Sequence, residues 1–204
     1  AEDINGQTWT VQTIQPGGAK FFATGSKKES NFHVVDSEHR GLAALDAVTA
    51  IVIAEGYATA DTLSQALSCP VVAAFDSGNL LKVAQVLQKK YPQSPIVIAG
   101  DDDLTQESIN GKNPGKEKAM EAAQLVNGAV VLPIFAPDEQ MSQQLSDFND
   151  LANKSVLGIE AVKRQVGSVV EKVSQQAKQD SLLRLQAPIE PKQQEIKQKR
   201  ALVR

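Results

Sequence analysis

Residues 50–78 read AIVIAEGYATADTLSQALSCPVVAAFDSG. Two short apolar runs, Ala50–Ala54 and Val71–Phe75, stop at an acidic residue followed by a small one: Glu55-Gly56 and Asp76-Ser77-Gly78. Between them Thr59–Leu67 sets Ala60, Leu63 and Leu67 on one helical face. The rhythm repeats downstream. Asn79–Lys90 carries Leu80, Val83, Ala84 and Leu87 at helical spacing, and Pro95–Ala99 is a third apolar run ending at Gly100-Asp101-Asp102-Asp103. Leu104–Lys112 reads as a polar loop. Asn113-Pro114 suits an N-cap with Pro at the first helical position, Gly115–Val126 a third helix, and Gly128 its C-cap. Ala129–Leu132 is a fourth strand, closed by Pro133. Short apolar strands alternating with amphipathic helices predict an α/β fold, a Rossmann-like parallel sheet with helices on both faces.

Upstream, Thr8–Gln15 reads as a strand with Trp9 and Val11 on one face. Pro16-Gly17-Gly18 is a turn and Lys20–Thr24 the return strand, a small antiparallel hairpin that Asn31–Val35 is expected to join. Trp9 is expected in the core. Downstream, Val156, Ile159, Val162, Val166, Val169, Val170, Val173 and Ala177 form one apolar stripe along a helix of about eight turns. That helix either packs back on the domain or pairs with a partner. Pro188 and Pro191 end it, and Lys192–Arg204 is a basic tail or linker. The expected organisation is a hairpin segment packed on the core (1–45), the α/β core (46–137), a C-terminal helical extension (138–187) and the tail (188–204).

Composition narrows the function classes. With 42% hydrophobic and 22% charged residues, the 204-residue chain suits a globular domain with an appendage. A net charge of −3 argues against gripping nucleic acid by overall charge, though not against a metal site that recruits phosphate. Cys69 is the only cysteine, so neither an internal disulfide nor a cysteine zinc site can form, which fits a cytoplasmic setting. The apolar runs are too short to cross a membrane. A start without Met and a polar, basic end point to a segment of a larger protein.

In parallel sheets reactive groups gather beyond the carboxyl ends of the strands, where Glu55, Asp76 and Asp101–Asp103 all fall. Asp101 and Asp103, one residue apart on extended backbone, point the same way, and Asp102 the other. If the strands are neighbours, Glu55 converges with them. Such a cluster needs a cation, and Mg²⁺ accepts a few carboxylate oxygens while keeping positions for water or phosphate. A metal held there would stabilise charge on a phosphate, and a free carboxylate would act as acid or base. Lys20 and Lys116 are weaker candidates for phosphate contact. Asp76 either joins the cluster or caps the next helix, and His33 and His39 are expected in plain structural or surface roles.

The segments IVIAEGYATADTL, VVAAFDSGNL, IVIAGDDD and NPGKEKAMEAA (residues 51–63, 71–80, 96–103 and 113–123) resemble the Toprim domain of plasmid and mobile-element (conjugative) DNA primases. The preceding GQTWTVQTIQPGGAKFF is similar to the segment ahead of that domain in these primases, so the likeness covers roughly residues 5–137. It implies Glu55 as general acid/base and metal-proximal carboxylate, Asp101 and Asp103 as Mg²⁺ ligands (Mn²⁺ as substitute), and Ser77, Gly78 and Asn79 as a second loop at the site. Gly56 suits the tight strand-to-helix turn. The further Asp that replicative primases carry after the Gly-Tyr is displaced here to Asp61, so that Thr59 and Asp61 would act through water.

Implied partners are single-stranded DNA, nucleoside triphosphates, other domains of a larger protein and conjugation machinery; no membrane is implied. The leading expectation is Mg²⁺-dependent nucleotidyl transfer in a primase or a primase-like part of a relaxase. An inactive Toprim scaffold and a Toprim nuclease are the alternatives.

Overall fold

The computed structural model describes residues 1–186. A two-stranded antiparallel ribbon, β1 (Gln12–Ile14) and β2 (Lys20–Phe22), precedes the main body. The main sheet holds β3 (His33–Val35), β4 (Ile51–Ala54), β5 (Val71–Ala73), β6 (Ile96–Ala99) and β7 (Ala129–Val131), in the order β3-β5-β4-β6-β7. The last four are parallel, while β3 runs antiparallel along the edge of β5. Connections are made by a 3₁₀ helix (Gly41–Ala47) and by α1 (Tyr57–Leu67), α2 (Ser77–Lys90), α3 (Leu104–Asn110), α4 (Pro114–Leu125), α5 (Glu139–Gln143), α6 (Phe148–Asn153) and α7 (Gly158–Gln186). This is the mostly parallel α/β sheet with flanking helices, N-terminal hairpin and long C-terminal helix that the strand–helix rhythm leads one to expect.

Strand alternation sorts the core into two layers. Ile51, Ile53, Val72, Ile96 and Ile98 meet Leu80, Val83 and Leu87 of α2 and Ala119 and Ala122 of α4. Val52, Ala54, Val71, Val97 and Ala99 face the other way, onto Leu63 of α1, Phe148 and Leu151 of α6, and Ala161, Val162 and Val166 of α7. Burying each such aliphatic side chain stabilises the fold by about 1.5–3 kcal/mol before entropy is counted. Small residues let the layers close. A Cβ on Gly128 would lie 2.5 Å from the Ile96 carbonyl oxygen, so only glycine lets the turn into β7 pass that close.

Several expectations are corrected. Asn31–Val35 does not join the hairpin; β3 pairs with β5 because Val34 and Val35 gain burial there. Only Gln12–Ile14 of the expected Thr8–Gln15 strand enters a ladder. Trp9 is not core: it is 42% exposed, and its indole N–H donates to Asp3 Oδ2 at 3.0 Å. The expected polar loop 104–112 contains α3, a helix with no buried residue, ended by Gly111 at φ +70°. Between residue 138 and residue 186 the chain forms three helices. Val156 is exposed ahead of the last, whose first residue, Gly158, has φ +61°. Of the two fates open to that helix, its first half packs back on the sheet. The basic tail or linker over 188–204 and the stops at Pro188 and Pro191 lie outside the described residues. Among the described residues no helix is long and apolar enough to cross a membrane.

Candidate metal and phosphate site

Register places the acidic residues. Ala54 at the end of central β4 pairs with Ala73 of β5 on one side and Ala99 of β6 on the other. The three strands therefore stop level, and the next residues leave from one edge. Glu55 emerges between the turn into α2 and the Gly100–Asp103 segment.

The turn after β5 is under strain. Phe75 holds φ +76°, a conformation costing a bulky side chain of order 1–3 kcal/mol. Phe22 of the ribbon packs edge-on against its ring at a centroid distance of 5.3 Å. The turn delivers the Ser77 backbone N–H to Glu55. Asp76 caps α2, accepting from the Asn79 N–H at 3.0 Å, and pairs with Lys28. Asn79 is buried. Its amide donates to the Ala74 and Asn31 carbonyls at 2.8 and 2.9 Å, and its oxygen accepts from the Ser30 N–H at 2.8 Å. It clamps the turn to the N-terminal segment. Gly78 lies beside the Asp76 carboxylate.

The Asp101–Asp103 segment is pinned by Asn113, which caps α4. Its oxygen accepts from the Lys116 and Asp103 N–H groups at 3.3 and 3.1 Å, and its amide donates to Asp102 Oδ1 at 2.8 Å and Glu107 Oε2 at 2.9 Å. Asp102 faces away from the site, also accepting from Gln140. The Gly115 N–H reaches Asp103. A Cβ on Gly115 would lie 2.9 Å from that of Asp101, so glycine lets α4 start directly against the loop.

The electrostatics follow from this crowding. Burial, then the charges of Asp103 and Asp76, raise the pKa of Glu55 above its ordinary value, against the Ser77 N–H and Lys20. Burial, then Glu55, Asp147 and Asp103, push Asp101 well above the usual carboxylate range, with Lys20 again opposing. Asp103 is raised by burial and by Asp102 and Asp147, less the Gly115 N–H. Asp101 Oδ1 is buried with no hydrogen-bond partner among the described residues. A buried carboxylate oxygen left bare among other carboxylates is costly unless a cation meets it.

The donor set suits a hard divalent cation: oxygen only, anionic and partly desolvated. Among the described residues no three His, Cys, Asp or Glu side chains stand close enough to enclose an ion unaided. That is compatible with Mg²⁺, which usually takes one or two carboxylates and completes its shell with water and substrate phosphate.

Lys20 reaches this group from the ribbon. Its Nζ lies 3.5 Å from where a Cβ on Gly56 would sit, and its charge acts on both Glu55 and Asp101. Lys116 stands in the first turn of α4, and no ion pair joins it to another described residue. Asp61 goes elsewhere: it accepts from Gln65 at 2.8 Å and lines a separate cleft with His33, Asp36 and Tyr57. His33 stacks on Tyr57 at 6.0 Å, while His39 is exposed.

Asp147 is the participant that sequence reasoning missed. It caps α6, its Oδ2 accepts from the Thr59 hydroxyl at 2.9 Å, and its charge acts on both Asp101 and Asp103. Ser146-Asp147 ahead of Phe148 carries an N-cap signature, but nothing local ties that cap to a distant strand end.

Comparison with known proteins gives a family and two relatives. The Toprim domain family matches residues 50–156. Two Escherichia coli proteins named DNA primase TraC are each 39% identical to the chain. One alignment covers 88% of the chain and 16% of the relative, the other 98% and 24%. The chain thus spans no more than about a quarter of these relatives. No solved structure matches it.

Proposed function

The chain belongs to the Toprim family, and from that premise we propose that it is the Mg²⁺-dependent nucleotidyl-transfer domain of a plasmid-type DNA primase, joining nucleoside triphosphates on single-stranded DNA. The observation that carries the reading is Asp101 Oδ1, buried and bare beside Glu55, Asp103 and Asp147. Asp101 and Asp103 would hold the ion, with Glu55 at its edge and Mn²⁺ as substitute. When bound, the ion stabilises negative charge on the phosphate under attack.

The chain's own residues do the rest. Glu55, its proton affinity raised by burial, takes the proton of the hydroxyl that attacks the α-phosphate, better near neutral pH than an ordinary carboxylate would, as the α–β phosphoanhydride bond breaks and pyrophosphate leaves. The Ser77 N–H orients it. Lys20, and Lys116 at the start of α4, bind phosphate oxygens. Thr59 holds Asp147 against the aspartate pair.

The test is Glu55→Gln and Asp101→Asn in the protein that carries this chain. Each is expected to cut template-directed oligonucleotide synthesis by about 10²-fold or more, with circular dichroism unchanged. Synthesis at the native rate by both would end the proposal. A second reading, a Toprim scaffold that binds DNA or protein without chemistry, is favoured by the lack, among the described residues, of three carboxylates closed around one point. It predicts no calorimetric heat with Mn²⁺ at millimolar concentration.

A further inference from the structure

Among the described residues the ribbon β1–β2 is hydrogen-bonded as a sheet only to itself, yet it reaches the acidic edge of the main sheet. Its two faces differ. In the register Thr13↔Phe21 and Ile14↔Lys20, alternation sends Lys20 and Phe22 to one face and Phe21 to the other. Phe22 is seated on Phe75 and Lys20 enters the acidic site. Phe21 is left 54% exposed, and Val11 just ahead of the ribbon 64%.

Trp9 also stays at the surface. Its N–H is held by Asp3, and Lys27 Nζ stands 5.4 Å from the ring centroid. Aromatic residues make up only 4% of this chain, so the lone Trp, with Lys27 over its ring, and the exposed Phe21 are not explained by core packing. The indole already satisfied at its N–H, the exposed phenyl and the interleaved cations match what a flexible polyanion with flat, stackable groups requires. They match a purely apolar partner less well, because docking one on Trp9 would desolvate Lys27 without compensation.

We propose that the exposed Trp9, with Lys27 over its ring, and Phe21 stack the bases of single-stranded DNA, and that Lys20, on the opposite face of the ribbon, meets the strand where it enters the acidic site. The proposal rests on the reading of that site as acting on single-stranded DNA, and it adds the place where the strand lies. Bases stack on Trp9 and Phe21, Lys27 meets a phosphate beside Trp9, and Lys20 meets the backbone at the acidic edge beside Glu55. Duplex DNA, with its bases already stacked, gains nothing from the aromatics.

The experiment titrates fluorescein-labelled dT20 into the 204-residue chain in EDTA, reading anisotropy and intrinsic fluorescence. Trp9 is the sole tryptophan, so quenching reports directly on this surface. The expected result is saturable binding with quenching, weakened about tenfold by Trp9→Ala and by Phe21→Ala and largely kept by Trp9→Phe. Duplex of equal length competes poorly. Both residues are exposed, and unchanged circular dichroism confirms that the variants fold.

Binding without quenching and unaltered in both alanine variants would overturn the stacking proposal, as would absence of binding. EDTA keeps this outcome separate from the metal reading. If Glu55→Gln retains full synthesis while the quench persists, the acidic-site reading fails and the stacking proposal stands. If Glu55→Gln abolishes synthesis but no quench is seen, the reverse holds.

Discussion

Substituting Gly115 by Ala adds one methyl group where α4 starts against the acidic loop. The new carbon would lie 2.9 Å from Asp101 Cβ, 3.0 Å from the Asp101 carbonyl oxygen and 3.3 Å from its carbonyl carbon. Comfortable carbon contacts lie at about 3.5–4.0 Å, so the loop or the helix must retreat by roughly half an ångström. Overpacking of this kind costs about 1–3 kcal/mol, and the better helix propensity of Ala returns at most about 1 kcal/mol. The net loss of stability is therefore about 0–3 kcal/mol. The effect on chemistry should be larger, because the retreat carries Asp101 and Asp103 away from Glu55. A misplacement of about 1 Å can cost about 10²-fold in rate, so about tenfold is expected here. Gly17→Ala is the control, since a Cβ there meets nothing within 4 Å. Oligonucleotide synthesis and thermal unfolding are compared for the two variants. Equal synthesis by both would show that close contact between α4 and the loop does not set the position of the carboxylates.

Asp101→Asn removes a buried charge, so the metal-free protein should melt a few degrees higher while losing its stabilisation by Mn²⁺; a lower midpoint would contradict the bare-carboxylate account. The same variant tests the pH dependence. Burial and neighbouring charges raise the Asp101 and Glu55 pKa values, so the folded chain binds these protons more tightly than the unfolded one. Their contribution is fully present below the ordinary values of 3.8 and 4.5 and is lost as pH rises through the raised ones. The advantage of Asp101→Asn over native protein in urea unfolding should grow across that rise. Phe148→Ala empties a fully buried position beside α1 and α7 and should cost about 3–5 kcal/mol in urea unfolding, while loosening the Asp147 cap next to it.

The α/β architecture was legible because β4, β5 and β6 are buried on both faces, so each reads as an unbroken apolar run stopped by a polar residue. The acidic ends were legible for the same reason, since an apolar run that stops abruptly marks the first polar residue beyond the strand. What was hidden depends on contacts made far along the chain. Asp147 reaches the site only through the packing of α6 under α1, and its local pattern is that of any helix cap. Val34 and Val35 have the same composition in a hairpin as on the edge of β5, and burial decides between them. Trp9 misleads by its type, because size and apolarity usually mean core, whereas here Asp3 and Lys27 hold it at the surface. α3 buries nothing, so no periodic stripe betrays it.

The measurement that decides the account is anomalous scattering from crystals soaked in Mn²⁺. The account predicts a peak within bonding distance of Asp101 Oδ1, about 2.0–2.3 Å, shared with Asp103 or Glu55. A clean map at millimolar Mn²⁺, with the Asp101 oxygen still bare and Glu55 engaged only by Ser77, would contradict it.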